Sequence, residues 1–328
     1  MRSLTVVAPV HNEAENVGVL VQRIVAACEP LEGEWDVRIL LVDDGSTDQT
    51  LARVDAMRRE GYPVGYVKFS RNYGHQAAIC AGMAHATGEA VITMDGDLQH
   101  PPEQIPRMVR AFEDGADVVQ MVRSDPSGGS KGLLSRGFYA FFNHVAETKI
   151  VPNASDFRLL SRSVVDVVVR IPEREKFLRG LVPSLGFTQV QLEFDEAQRL
   201  HGTPSYSFAK SLRLARKALF DYSATPLKAV FYLGLLMAIL SFVVGIGHVI
   251  VKLMYWHDVT PGFTDTITAI FFLSGCVLAS IGILGRYQMM ILEQLRGRPA
   301  WVVQKLVEPE AMTKSASAME ERKSNRVE

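Results

Sequence analysis

The stretch Ala90-Val91-Ile92-Thr93-Met94-Asp95-Gly96-Asp97-Leu98-Gln99-His100-Pro101-Pro102 decides how the rest of the chain is read. Residues 90–94 form a short apolar run bounded by turn-forming residues, which predicts a buried strand. The run stops at two carboxylates one residue apart. In extended backbone, positions i and i+2 point to the same side, so Asp95 and Asp97 present two hard oxygen donors together, and Gly96 between them admits a close backbone. Such a pair suits Mg2+ or Mn2+, ions that complete their shell with water and substrate phosphate oxygens. One strand-end Asp alone means little, because Asp often caps the next helix or shapes a turn.

Working outward, the same alternation of strand and helix repeats. Residues 4–8, 37–42, 64–69 and 118–121 read as strands, the last closing the series, while 15–28, 76–86 and 105–112 have helical periodicity. Strands alternating with helices predict an α/β fold, a doubly wound and mostly parallel sheet. Ligands of such sheets bind beyond the carboxyl ends of the strands. A second acidic cluster stands at such an end, Asp43-Asp44-Gly45-Ser46-Thr47-Asp48. Neither a G-x-x-x-x-G-K nor a G-x-G-x-x-G pattern follows any strand, which disfavours P-loop enzymes and dehydrogenases and leaves phosphate handling to a metal.

Composition narrows the class further. Of 328 residues 48% are hydrophobic, so the chain is not a disordered one, and three widely spaced cysteines make neither a disulfide framework nor a metal site. Lys and Arg number 35 against 36 Asp and Glu, a net charge of −1 that supplies no global field for nucleic acid. The apolar residues concentrate late. Residues 229–251 and 266–285 contain no Asp, Glu, Lys or Arg and are long enough to cross a bilayer. Basic residues flank the pair on the outside, including Arg213, Arg216, Lys217, Arg286, Arg296 and Arg298, whereas the connecting loop 252–265 has one Lys. The positive-inside bias then puts both termini in the cytoplasm. The expected organisation is a cytoplasmic α/β domain (1–209), an interfacial amphipathic region (210–228), transmembrane helices at 229–251 and 266–285 around an extracytoplasmic loop (252–265), a cytoplasmic juxtamembrane segment (286–306) and a disordered tail (307–328). Residues 287–295 are a second candidate for an interfacial helix.

Four motifs in order, Pro9-Val10-His11-Asn12-Glu13, Asp43-Asp44-Gly45-Ser46-Thr47-Asp48, Ser70-Arg71-Asn72-Tyr73-Gly74-His75 and Asp95-Gly96-Asp97-Leu98-Gln99-His100, resemble the nucleotide-sugar domain of family 2 glycosyltransferases. The subgroup resembled is that of the polyprenyl-phosphate glycosyltransferases, and the likeness covers residues 1–305, both apolar segments included. It implies a GT-A-type fold. It also implies that Pro9, Asn12, Glu13, Asp43, Asp44, Asn72, Gly74 and Asp95 contact the nucleotide, and that Asp95, Asp97 and Gln99 hold Mg2+ or Mn2+ beside the diphosphate. The divalent ion would neutralise the leaving diphosphate.

In the region resembling the acceptor segment, Arg123, Arg136, Arg158 and Arg199 are expected to receive a lipid phosphate, for which the planar guanidinium is the fitting group. Catalytic roles are implied for Asp156, Arg123 and Arg136. Asp156 acts either as a base or as an orienting group for Arg158; a lipid phosphate is already anionic at neutral pH and needs alignment more than deprotonation. Ser205 stands where relatives often carry a Lys. The resulting expectation is inverting transfer of one sugar, with UDP-glucose as donor, to undecaprenyl phosphate at the cytoplasmic face of a bacterial inner membrane, by a homo-oligomer. The alternatives are a processive polysaccharide synthase and an inactive membrane-bound binding or scaffold protein.

Overall fold

Leu4 to Val10 are buried almost without interruption along strand β1 (Arg2–Val10), the signature of a strand covered on both faces. In the computed structural model, which describes residues 1–124, 154–173, 176–195, 225–254 and 263–310, β1 lies inside an eight-stranded sheet. Helix α1 (Val17–Cys28), β2 (Trp35–Asp43), α2 (Thr50–Glu60), β3 (Val64–Phe69), α3 (His75–His85), β4 (Ala90–Thr93), α4 (Ile105–Glu113) and β5 (Val118–Arg123) follow in the expected alternation. Then come β6 (Ala154–Ser161), α5 (Arg162–Arg170), α6 (Leu178–Ser184) and β7 (Gln189–Phe194). After two long helices the chain supplies a last strand, β8 (Val303–Val307).

The spatial order is β7-β5-β6-β4-β1-β2-β3-β8. Strand β1 runs parallel to β2 and β4, β2 to β3, and β5 to β7, while β6 is antiparallel to β4 and β5 and β8 is antiparallel to β3. The sheet is therefore mixed and mostly parallel. Alternate residues of the central strands feed two cores. On one face Leu4, Val6, Ile39 and Leu41 pack with Leu20 and Ile24 of α1 and Met108 of α4. On the other, Val7, Leu40, Val42 and Val67 pack with Ile79 and Met83 of α3 and Val164 and Val168 of α5. Gly82 lets α3 press onto the sheet, for a Cβ there would run into Val7 Cγ1 and come within 3.0 Å of Val42 Cγ2.

Three expectations need correction. The series does not end with the strand at 118–121, because β6, β7 and β8 extend it. Strand β6 was hidden by its own chemistry: Ser155, Asp156 and Arg158 interrupt its apolar pattern, although every residue in it is buried. Residues 303–307 were assigned to a juxtamembrane segment and the start of a tail, yet they add a strand beside β3.

The third concerns the apolar segments. They fall in a separate unit, as helices α7 (Thr225–Met254) and α8 (Phe263–Leu295). Among the described residues one stretch, Phe272–Leu295, is long and apolar enough to cross a membrane, where two spans were expected. That stretch starts and ends later than the expected 266–285, because helix α8 carries on through Arg286 and Tyr287 without a break. Residues 287–295 are thus the end of α8 and not a separate interfacial helix. Residues 210–224, 255–262 and 311–328 lie outside the described part.

Gly82→Ala tests the packing of α3 against the sheet. Overpacking at such a site typically costs about 1–3 kcal/mol, and chemical unfolding of the detergent-solubilised chain should show a loss of that size.

Candidate active site

Because β1, β2 and β4 are parallel, their carboxyl ends reach the same sheet edge, and the turns that follow them meet there. Between these turns lies a cleft of about 450 Å³. Pro9, His11 and Glu13 line it from the β1 end, Asp44 from the β2 end, Asn72, Gly74 and His75 from the loop after β3, and Asp95, Gly96 and Asp97 from the β4 end. Of the residues expected to contact nucleotide or metal, Pro9, Glu13, Asp44, Asn72, Gly74, Asp95 and Asp97 are brought together here.

Asn12, Asp43 and Gln99 do not line the cleft. Asn12 has a left-handed φ of 56°, which Asn tolerates better than most residues. Its backbone N–H donates to Ser46 Oγ (2.9 Å), and its Oδ1 accepts from the Thr47 N–H (2.9 Å). Asp43 Oδ1 accepts from the Ser46 N–H at 3.0 Å. Asn12 thus locks the β1 turn to the β2 turn, and Asp43 braces the β2 turn itself. Gln99 donates its backbone N–H to Asp97 Oδ1 at 3.2 Å, which helps orient that carboxylate.

Asp44 lines the cleft and also builds it. Its Oδ1 accepts the Tyr73 N–H at 2.6 Å and its Oδ2 the Gly74 N–H at 2.9 Å. Gly45 completes this join: a Cβ there would lie 2.6 Å from the Arg71 carbonyl carbon, and its φ of 73° favours glycine. The loop 70–74 is therefore clamped to the β2 end by one carboxylate and one missing side chain.

A second group of charges gathers around Asp156, whose side chain is only 5% exposed. Arg158 Nη2 donates to Oδ1 at 3.0 Å, Arg179 Nη2 donates to Oδ2 at 3.0 Å, and Gln76 Nε2 donates to Oδ2 at 3.3 Å. His75 Nε2 sits between the two acidic sites, 3.5 Å from Asp156 Oδ2 and 3.2 Å from Asp95 Oδ1. Burial by itself would raise the Asp156 pKa, but His75, Arg179 and Arg158 together hold it well below the usual carboxylate value. Burial would likewise lower the pKa of His75, yet the hydrogen bonds and charges of Asp156 and Asp95 win and push it up to about 10. His75 is an imidazolium at neutral pH.

His100 behaves in the opposite way. It is fully buried, stacked on Phe157 with 5.2 Å between ring centroids, and burial lowers its pKa. Its Nδ1 accepts the Asp95 N–H at 2.9 Å, so the neutral ring carries its proton on Nε2, 3.5 Å from Asp95 Oδ2.

Arg158 is 1% exposed and spends its donors on Asp156, Ser155 O and Leu178 O. It is buried support and does not present itself to an acceptor. Arg179 is the more open partner of Asp156, with 37% of its side chain exposed. Arg123 ends β5 beside this group, and its charge is felt at His100. Arg136, Arg199 and Ser205 lie outside the described residues. His75, His100 and Arg179 were not expected as site residues. His75 and His100 stand within the quoted motifs, so position in a motif was the available signal; Arg179 carried none.

Among the described residues no three acidic, His or Cys side chains gather to hold a metal unaided. The cleft nevertheless offers a donor set that fits a divalent ion shared with a substrate. Asp95, whose Oδ1 lies 3.2 Å from His75, and Asp97 share one wall of it. Two carboxylates are the usual protein share for Mg2+ or Mn2+ when phosphate oxygens complete the shell.

The comparisons with known proteins fit this geometry. Residues 5–169, about half the chain, match the model of "Glycosyl transferase family 2". The chain belongs to that family. This family 2 glycosyltransferase is 34% identical over 304 residues to the bactoprenol glucosyl transferase of Shigella phage SfII, covering 92% of this chain and 97% of that one. It is also 34% identical over 305 residues to glycosyltransferase sll0501 of Synechocystis, covering 92% and 95%. Among solved structures, glucosyl-3-phosphoglycerate synthase from Mycobacterium tuberculosis, in complex with Mn2+, UDP-glucose and phosphoglyceric acid, aligns with a TM-score of 0.43 and 19% identity, covering 67% of the transferase and 78% of that chain.

Two outcomes are expected from this site. Asp44→Ala strands the Tyr73 and Gly74 amides; a hydrogen bond to a charged group contributes about 1.5–3 kcal/mol, so donor binding measured by calorimetry should weaken on the order of tenfold or more. For His75, a folded-state pKa of about 10 against an ordinary 6.5 means that its stabilising contribution is complete below 6.5 and lost as pH rises through about 10. Unfolding of His75→Phe at a series of pH values should therefore show a shallower alkaline loss of stability than the parent.

Proposed function

We propose that this transferase moves glucose from UDP-glucose to a polyprenyl phosphate, the bactoprenol named in the phage relative, at a membrane surface. The observation that carries the proposal is the His75 bridge: one imidazolium joins Asp95 on the donor side to Asp156, which holds Arg179, on the side facing away from the nucleotide turns. A site that must bring a diphosphate leaving group and an anionic nucleophile together needs positive charge between its carboxylates.

The donor's base and ribose enter between the β1 and β2 turns. Asp43 Oδ2 is a buried acceptor with no hydrogen-bond partner, suited to an N–H of the base. The loop at Asn72 and Gly74 closes the other wall. Asp95 and Asp97 would hold the divalent ion, which when bound supplies charge neutralisation at the leaving diphosphate. His100 accepts the Asp95 N–H and so holds the backbone of that residue.

On the acceptor side, Arg179 and Arg123 receive the lipid phosphate, which attacks the anomeric carbon in line and inverts it. Asp156 is not a base in this reading. Both of its oxygens already accept from cations or amides, and a carboxylate held well below its usual pKa is a poor proton acceptor. It holds Arg179 in the planar fork that phosphate recognition needs.

The apolar stretch in α8 then keeps the enzyme where a polyprenyl tail resides. Phe272–Leu295 is 24 residues long, about 36 Å at ~1.5 Å per residue, enough to cross a hydrocarbon core.

The test is transfer of labelled sugar from UDP-glucose to polyprenyl phosphate by detergent-purified protein with Mg2+ or Mn2+. Labelled lipid should form and should vanish with chelator or with Asp97→Ala. Water-soluble polymer instead of lipid would indicate a synthase. Asp156→Asn should lower kcat by roughly 10–100-fold while leaving the alkaline and acid limbs of the pH profile in place, as expected for a lost orienting group; loss of the acid limb would restore the general-base role. Arg179→Lys keeps the charge without the fork and should raise KM for the lipid about tenfold or more.

A further inference from the structure

The chain that follows α8 returns to the sheet at one particular place. β8 begins eight residues after Leu295 and pairs antiparallel with β3 over Tyr66 to Phe69. The sequence of β3 is cut to receive it: Gly65 has no side chain, and a Cβ there would collide with Val307 O and Pro309 N and lie 2.7 Å from the Glu308 carbonyl carbon. Lys305 Nζ donates to Tyr66 Oη at 2.8 Å.

The residues just ahead of β8 go further, beyond β3 and onto the donor loop. The Ser70 N–H donates to Val302 O at 3.0 Å. Trp301 stacks on Phe69 with an interplanar angle of 16° and centroids 6.5 Å apart, and Phe69 meets Tyr73 edge-on at 5.6 Å. Tyr73 is the residue whose N–H is taken by Asp44, and its neighbours Asn72 and Gly74 line the cleft. The loop 70–74 is thus held from two sides, by Asp44 and Gly45 within the nucleotide turns and by Trp301 and Val302 from the far end of the chain.

We infer that Trp301 is a positioning residue for the nucleotide: through Phe69 and Tyr73 it sets the shape of the loop that closes the donor cleft. The inference rests on the reading that this cleft takes a nucleotide. Preorganising a closing loop lowers the ordering cost of binding, so loss of the indole falls on donor affinity before it falls on turnover. Trp301 touches no reacting atom.

The full chain in detergent is titrated with UDP in the presence of Mn2+, and amide hydrogen exchange is followed at residues 70–74 without nucleotide. Trp301→Ala should raise the Kd for UDP about tenfold or more, with kcat at saturating donor within roughly twofold of the parent. Exchange at 70–74 should quicken. Trp301→Phe, which keeps an aromatic face on Phe69, should recover most of the affinity. Leu185→Ala removes packing from the same core but not the Phe69 stack, and should leave the Kd unchanged.

Unchanged UDP affinity in Trp301→Ala, an equal loss in Leu185→Ala, or unaltered exchange at 70–74 each overturns the inference. If the parent chain binds no UDP, the nucleotide reading falls and takes the functional claim with it. Faster exchange in Trp301→Ala would then still distinguish a wrong ligand from a wrong contact.

Discussion

Removing a carboxylate from water is costly unless cations come with it, and the arrangement around Asp156 follows from that constraint. Arg158 neutralises it from inside the sheet and is held there, because two backbone carbonyls, Ser155 O and Leu178 O, accept from its Nη atoms. Arg179 and His75 complete the compensation from the open side. Once His75 is fixed there it also faces Asp95, so the electrostatics of the β4 end and of β6 are a single system. Strand β6 has to lie antiparallel between β4 and β5 for this to occur, and Thr93 Oγ1 donating to Asp156 O at 2.6 Å fastens that pairing at the level of the site.

The two histidines near Asp95 show how burial and neighbours divide one residue type into two roles. His100, inside an aromatic stack and tied to a backbone N–H, is kept neutral and works as a spacer. His75, half exposed but set between two carboxylates, is kept charged. An imidazole would otherwise titrate near neutrality. Here burial lowers that pKa in one ring, and the two carboxylates raise it in the other.

Much of the nucleotide half was legible in the sequence because its chemistry sits where the backbone alone puts it, at the ends of apolar runs. Residues 64–69 coincide with β3, and Asp44, Asp95 and Asp97 line one cleft. Their neighbours Asn12 and Asp43, expected at the nucleotide, also hold the Ser46 and Thr47 turn through one side-chain oxygen each, a duty that hydrogen-bond partners reveal and residue type does not. The other half was hard to read for a physical reason. Strand β6 carries Asp156 and Arg158 into a buried layer, which breaks the alternation that marks a strand, and their partners His75 and Arg179 are remote in sequence. β8, with exposed Gln304 and Lys305 after an apolar helix, has the local look of a polar exit segment. Its place is set by Gly65, more than 200 residues earlier, through a contact no local pattern encodes.

The late arrival of β8 also imposes an order on synthesis. Strand β3 emerges early, paired on one side by β2, and among the described residues its other edge finds a partner strand only in residues 303–307. Both long helices come off the ribosome in between. For that interval the nascent domain carries an open sheet edge, the kind of surface on which chains pair wrongly. A fragment ending before α7 would keep that edge permanently. The nucleotide-binding half is therefore contiguous in space without being separable in sequence, and its assembly is complete only when the apolar helices have already been placed.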